Sequence, residues 1–319
     1  MAAGGSTRAI FAAMAANAGI AVAKLVAYVV TGSASMLAES IHSVADTSNQ
    51  GLLLIGGHRA RRIADDRHQF GFGRERYFWA FVVAMVLFAL GGLFSMYEGI
   101  EKIRHPHEIE SVGWAIGVLL FAIAAEAWSF HTAVVTARQV KGSRSWWRFV
   151  RSSRTPELPV VLLEDAGALI GLVLALGGVG LTAVTGDTLW DGLGTLSIGI
   201  LLISISVVLT IEMKSLLIGE AATQEHVSAM WAAVAGVGTV SRVIDLRTQH
   251  LGPEELLVAG KIEFDRSLTN PQLTVAIDEV EAALRGSVPL EMQIYIEPDL
   301  YIPGHDESHA RREVSIDDP

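Results

Sequence analysis

The chain contains no cysteine among its 319 residues. It therefore cannot form disulfide bonds, use a thiol in catalysis or bind zinc through cysteine, and the redox state of its compartment stays open. Charged residues are also scarce, at 18%, whereas 51% of the residues are hydrophobic and the mean hydropathy is +0.41. This composition is typical of a protein with several membrane spans. Any metal site must be built from His, Asp and Glu.

The few charges are unevenly distributed along the chain. From Glu220 onward there are 18 acidic and 7 basic residues, a net charge of −11, which leaves about +1 for the first 219 residues. The chain therefore divides into an apolar region, residues 1–218, and an acidic region that follows it.

Six apolar segments in the first region approach or exceed the roughly 20 residues that a membrane-spanning helix needs. They lie near residues 9–31, 35–57, 78–100, 112–137, 159–184 and 192–218. Residues 1–16 lack a basic stretch followed by a clean cleavage site, so no cleavable signal peptide is predicted. The sequence predicts a membrane domain of six transmembrane helices.

The loops between these segments differ in charge. The turns at residues 31–34 and 185–188 have no basic residue, whereas the loops after the second and fourth segments are rich in them. The loop after the second segment carries Arg59, Arg61, Arg62, Arg67, Arg74 and Arg76, and the loop after the fourth carries Arg138, Lys141, Arg144, Arg148, Arg151 and Arg154. Because basic loops stay on the cytoplasmic side, both termini are predicted to be cytoplasmic, in an inner cell membrane. An even number of spans agrees with that orientation.

Residues 219–303 are predicted to form a small cytoplasmic α+β domain. Helical periodicity covers residues 224–235 and 271–284, and alternating apolar residues predict strands at 240–251, 255–264 and 291–297. The order αββαβ is that of a ferredoxin-like sheet with two helices. Residues 304–319 have too little apolar content to fold and are predicted to be disordered.

The sequence His42-Ser-Val-Ala-Asp46 places two metal-capable side chains on one face of the second span, with Glu39 near the same face. Ionisable groups inside a membrane are costly and indicate an ion path. An imidazole with carboxylates suits a borderline divalent ion such as zinc. The alternative is a hydrogen-bonded polar pair that only stabilises helix packing.

Other polar residues interrupt the remaining spans. Glu164 and Asp165 are adjacent in the fifth span; Asp165 is predicted to face the His42 stripe, while Glu164 is a second ligand, a proton relay or the partner of a loop arginine. Glu126 in the fourth span is either a relay group or a hydrogen-bonded carboxylate. Lys24 in the first span is expected to snorkel or to pair with a carboxylate.

Taken together, these elements resemble the cation diffusion facilitator family over residues 8–303. The resemblance rests on Thr31-Gly-Ser33 ahead of Leu37-Ala-Glu-Ser-Ile-His42-Ser-Val-Ala-Asp46, on Phe70-Gly-Phe-Gly73, on His105-Pro106 and on the αββαβ tail. The segments 42–50 and 162–165 are closer to the divergent branch that includes human zinc transporter nine. The resemblance implies a homodimeric exporter, not an enzyme, that exchanges a cytosolic divalent metal, usually zinc, for protons across the lipid bilayer. It implies no prosthetic group and no nucleic-acid partner.

Carried over residue by residue, the resemblance assigns the transported metal to His42, Asp46 and Asp165. Where zinc members of the family have a fourth ligand, a histidine, this chain has Val161. Glu164, water, Glu39 or Glu126 would then complete the shell. Because this ligand set is harder, manganese, iron, cobalt or nickel become alternatives to zinc. Asp65 and His68 match a peripheral metal site whose third position is Phe72. In the tail, four positions that hold histidine in bacterial relatives are occupied here by Ile244, Lys261, Thr274 and Tyr295. No binuclear zinc cluster is therefore expected in the tail. A membrane scaffold or metal sensor of the same fold is the alternative function.

Overall fold

The computed structural model describes residues 18–106, 109 and 111–303. Among these residues, six longer helices and one short helix belong to the apolar region and are followed by a small mixed domain. The first two helices are α1 (Ala18–Thr31) and α2 (Ala34–Ala60). The next is continuous and consists of α3 (Glu75–Val86), a π-helical segment (Leu87–Leu93) and α4 (Phe94–Arg104). It is followed by α5 (Val112–Lys141), the short α6 (Trp146–Ser152), α7 (Glu157–Thr185) and α8 (Leu189–Ile218).

The predicted helices of the membrane region are present. Four of the described helices are long and apolar enough to cross a bilayer: Glu75–Arg104, α5, α7 and α8. Helix α2 has 27 residues but is more polar than these four. Only the 14 residues of α1 after Asn17 are described, so the start of the first predicted span lies outside the described residues. Large apolar side chains such as Trp128 and Val184 point outward, as lipid-facing residues do.

The chain forms two compact units. The first comprises the described residues up to Arg59 together with Glu75–Lys214, and the second comprises Ala60–Arg74 together with the described residues from Ser215 onward. The basic loop between α2 and α3 therefore belongs to the same unit as the C-terminal sheet.

Glycines bring the helix Glu75–Arg104 against α8 at backbone distance. A Cβ added at Gly99 would lie 2.6 Å from the backbone nitrogen of Leu196, and one added at Gly199 would lie 2.7 Å from that of Met96. A Cβ at Gly92 would meet Ile203 at 2.5 Å. Because no larger residue fits at these points, the two helices pack as a single body.

Helix α2 begins at a carboxylate supplied by α8. Asp191 is fully buried; its Oδ1 accepts a hydrogen bond from Ser33 Oγ at 3.0 Å, and its Oδ2 accepts one from the backbone N–H of Ala34 at 3.0 Å. The N–H of Ser35 donates to Oδ1 at 3.4 Å. An anion at a helix N-terminus satisfies unpaired N–H groups and complements the helix dipole. Asp191 thus fixes the end of the helix that bears His42 and Asp46.

The C-terminal part of the second unit has the predicted αββαβ order. Its elements are α9 (Gln224–Ala235), β1 (Val240–Gly252), β2 (Glu255–Phe264), α10 (Asn270–Ser287) and β3 (Glu291–Pro298). The central strand β2 pairs antiparallel with β1 and parallel with β3. Alternate β2 residues face a core with both helices; the core includes Met230, Val234, Leu246, Leu256, Val258, Ile262, Val280 and Leu284. The predicted disorder of residues 304–319 concerns residues outside the described part.

The α2–α3 loop packs on the β1–β2 turn within this unit. A Cβ at Gly73 would lie 2.7 Å from the carbonyl oxygen of Leu251, and one at Gly252 would lie 2.9 Å from Gly73 Cα. Two glycines are therefore needed where the loop touches the turn. The loop is part of the folded C-terminal unit rather than a free connection.

Candidate metal centre

His42 and Asp46 lie on one face of α2, as the spacing predicts. The Nε2 atom of His42 is 3.5 Å from Oδ2 of Asp46, and the two side chains are 1% and 14% exposed. Both ring nitrogens of His42 and Oδ1 of Asp46 are buried without a hydrogen-bond partner. Buried polar atoms are normally paired, so these unused positions mark a place that a ligand can complete.

The second nitrogen of His42 faces the π-helical segment. A Cβ at Gly91, inside this segment, would lie only 3.7 Å from His42 Nδ1. π-Helical turns inside α-helices are often found at functional sites, because they change the register of the helix locally. Here a glycine of the segment lies against the imidazole, where a Cβ would already be in contact with it.

Helix α7 supplies two carboxylates at the same level of the bundle. Oε1 of Glu164 accepts a hydrogen bond from Nδ2 of Asn49 on α2 at 2.7 Å, and Oδ2 of Asp165 accepts one from Ser129 Oγ on α5 at 3.0 Å. Glu164 is 6% exposed and is thus anchored to α2 inside the bundle. Each carboxylate keeps an oxygen that these bonds do not use.

Glu126 on α5 is buried and lies within electrostatic range of the site. Its charge interacts with those of His42, Asp46 and Asp165, and Glu164 interacts with both aspartates. Across residues 18–106, 109 and 111–303, however, no three His, Asp or Glu side chains converge closely enough to hold a metal ion. In this conformation the acids surround the site without closing on it.

Glu39 takes part in a different interaction. Its Oε2 accepts a hydrogen bond from Nζ of Lys24 at 3.0 Å, and both side chains are fully buried. Lys24 also donates to Ser43 Oγ at 2.8 Å. The expected pairing of Lys24 with a carboxylate is therefore present, and it occupies one oxygen of Glu39.

Asp65 and His68 form an exposed turn in the α2–α3 loop. Oδ1 of Asp65 accepts hydrogen bonds from the backbone N–H of His68 at 2.7 Å and from that of Arg67 at 3.0 Å, and it lies 3.1 Å from His68 Nδ1. The His68 N–H bond contributes most to holding the pKa of Asp65 below its usual value. Phe72 stacks on His68, with ring centroids 4.5 Å apart, where a third ligand would be needed. Asp65 and His68 thus contact each other in this turn, and the Phe72 ring lies next to His68.

Two contacts of the site are not among the predictions made from the sequence. Asn49 follows Asp46 by three residues and ties α2 to Glu164, and Ser129 orients Asp165 from α5. Asn49 lies on the same helical face as Asp46, so the periodicity that found the motif extends to it. Nothing in the sequence near Ser129 indicates its partner.

The transmembrane region matches the family model described as cation efflux transmembrane domain over residues 10–218. The chain belongs to the cation efflux family. It is 35% identical over 244 residues to the proton-coupled zinc antiporter SLC30A9, mitochondrial, of Xenopus laevis, a match that covers 76% of this chain and 44% of that protein. The family and the SLC30A9-like branch expected from the sequence are confirmed.

More distant members of the cation efflux family match as well. Metal tolerance protein C4 of Arabidopsis thaliana is 26% identical over 72% of this chain and 51% of its own length. The cation-efflux pump FieF of Klebsiella pneumoniae is 24% identical over 96% of this chain and 97% of its own length. The chain thus spans less than half of SLC30A9 but nearly all of FieF.

Proposed function

We propose that this protein is a zinc/proton antiporter that works by alternating access as a homodimer. The carrying observation is that His42 and Asp46 share one helical face with buried, unpaired ligand atoms, and that α7 adds the carboxylates of Glu164 and Asp165. The printed names of the SLC30A9 relatives, which describe proton-coupled zinc antiport, support the same activity.

The transported ion would be held by His42, Asp46 and Asp165, with Glu164 as the nearest candidate for the position lost at Val161. Since no three of these groups converge in the described conformation, the helices that carry them must shift for the ligands to meet on one ion. A site that closes on the ion in one state and opens in another is what alternating access requires.

Proton coupling follows from the chemistry of the ligands. Metal binds a neutral imidazole and ionised carboxylates, so its arrival displaces protons, and protons arriving from the opposite side favour its release. No covalent step is needed, so we propose a transporter and not an enzyme. The alternatives are an exporter of manganese, iron, cobalt or nickel, which would bind that metal at the same residues, and a metal sensor, which would bind a metal there without transporting it.

The protein is an integral membrane protein, and we propose that both termini lie on the side from which metal is taken. The basic loops after α2 and α5 support this orientation. The animal relatives are named as mitochondrial, so an inner membrane of bacterial or organellar type is the proposed location.

Purified protein in liposomes that carry a pH-sensitive dye tests the proposal. We expect zinc added outside to drive proton movement in the opposite direction, with a rate that saturates with zinc. Empty liposomes and liposomes given magnesium are the controls. A scaffold or sensor would bind zinc without any proton flux, and that outcome would overturn the proposed function.

A further inference from the structure

A fully buried lysine lies beside the metal centre, on a helix to which no ligand has been assigned. Lys24 on α1 is 0% exposed, and its Nζ contacts Glu39 and Ser43, one turn apart on α2. A buried ammonium group is energetically costly unless it is paired with an anion. An ionisable residue inside a membrane domain therefore indicates a function. Glu39 and Ser43 flank His42 on the same side of the helix.

The charge of Lys24 acts on the metal site as well as on Glu39. It interacts electrostatically with His42, Asp46 and Glu126. A fixed positive charge this close opposes the binding of a second cation, because charges interact more strongly in a low-dielectric interior than in water. The lysine therefore lowers the affinity of the site for a divalent metal.

Glu39 would otherwise be an additional ligand. Its second oxygen, Oε1, is buried without a hydrogen-bond partner and points at Gly171 of α7, where a Cβ would lie 2.7 Å away. Glu39 precedes His42 by three residues, close enough on the helix for both side chains to reach one ion. The ion pair with Lys24 occupies the other oxygen of this carboxylate.

We infer that Lys24 is a tethered cation that occupies Glu39 and thereby keeps zinc binding weak enough for release. The inference rests on the proposed function. Lys24 acts through Glu39 and through its own charge, as a residue that sets specificity and affinity without touching the metal. A transporter must release its cargo, so a site with every carboxylate available would hold the ion too tightly.

The test uses zinc alone, with full-length protein in nanodiscs, and three variants: Lys24→Met, Glu39→Gln and the double variant. Zinc affinity is measured by competition with a chelating dye, and transport is measured in liposomes. We expect Lys24→Met to bind zinc at least about tenfold more tightly, because Glu39 is released from its ion pair and the competing positive charge is gone. Because the ion then dissociates more slowly, this variant should also transport zinc more slowly.

Glu39→Gln should change the affinity in the opposite direction. It leaves Lys24 unpaired beside the site, so zinc should bind about tenfold more weakly. The double variant, which lacks both charges, should return to within about threefold of the original affinity, as expected for two coupled residues. A purely structural role predicts losses in the same direction for both single variants and no recovery.

The outcomes are distinguishable from those that bear on the proposed function. If the unaltered protein neither binds nor moves zinc, the proposed function fails. If it moves zinc and Lys24→Met changes nothing, or both single variants weaken binding without recovery, only the role of Lys24 is overturned. Should Lys24→Met fail to fold, Glu39→Gln compared with the double variant decides, since equal weakness in both contradicts the inference.

Discussion

Replacing Asp165 by Asn is expected to abolish zinc transport while the protein still folds. Asparagine keeps an oxygen that can accept the hydrogen bond from Ser129, so the contact between α5 and α7 survives. It removes the charge of Asp165, one of the two carboxylates that α7 offers to a divalent ion. We expect the initial rate of zinc uptake into liposomes to fall by at least about a hundredfold.

The matched control is Asp187→Asn, an exposed aspartate in the turn just beyond the end of α7. It should transport at the original rate. Gel filtration and the unfolding temperature of Asp165→Asn should match those of the unaltered protein. Transport by Asp165→Asn at or near the full rate would remove Asp165 from the metal site.

Replacing Asp191 by Ala is expected to cause the largest loss of stability. Three donors lose their acceptor: Ser33 Oγ and the backbone N–H groups of Ala34 and Ser35. Each buried donor left unpaired costs about 1–3 kcal/mol, and the favourable interaction with the N-terminus of α2 is lost too. We expect a loss of about 3 kcal/mol or more, seen as a lower unfolding temperature in detergent.

Asp191→Asn gives an intermediate case, because one oxygen still accepts but the charge is gone. It should be less destabilised than Asp191→Ala, and both should transport poorly for the amount folded, since the start of α2 positions His42. Equal stability of the unaltered protein and Asp191→Ala would show that α2 begins without help from α8.

The sequence predicts the elements of both units closely because their patterns are local. The alternation at residues 255–264 gives strand β2 with its exact bounds, and the helix predicted at 271–284 extends to Asn270–Ser287. Long apolar runs give the helices of the membrane region. The motif His42 to Asp46 is equally local, since its two residues share a helical face.

What the sequence leaves out are pairings between distant helices. Asp191 contacts Ser33 across 158 residues, and Asn49 contacts Glu164 across 115. No periodicity or turn signal records such contacts, because they arise only when the helices pack. The π-helical segment beside His42 is likewise not predicted, although its Gly91 and Gly92 are weak helix formers within an apolar run.

These pairings change how the candidate ligands divide. The sequence places both Glu39 and Glu126 inside apolar spans. In the part of the chain that the structure describes, Glu39 forms an ion pair with Lys24. Glu164 is held against α2 by Asn49, whereas the expected alternative placed it near a loop arginine. We therefore propose Glu164, rather than Glu39, for the position that Val161 leaves without a ligand.

X-ray absorption spectroscopy of the protein loaded with one zinc ion per chain tests the central claim most directly, because it counts imidazole ligands. The account predicts one imidazole among oxygen ligands, loss of that imidazole in His42→Ala, and two imidazoles with tighter zinc binding in Val161→His. A zinc ion with several imidazoles in the unaltered protein, or one whose spectrum is unchanged in His42→Ala, would contradict a metal centre built on His42, Asp46 and Asp165.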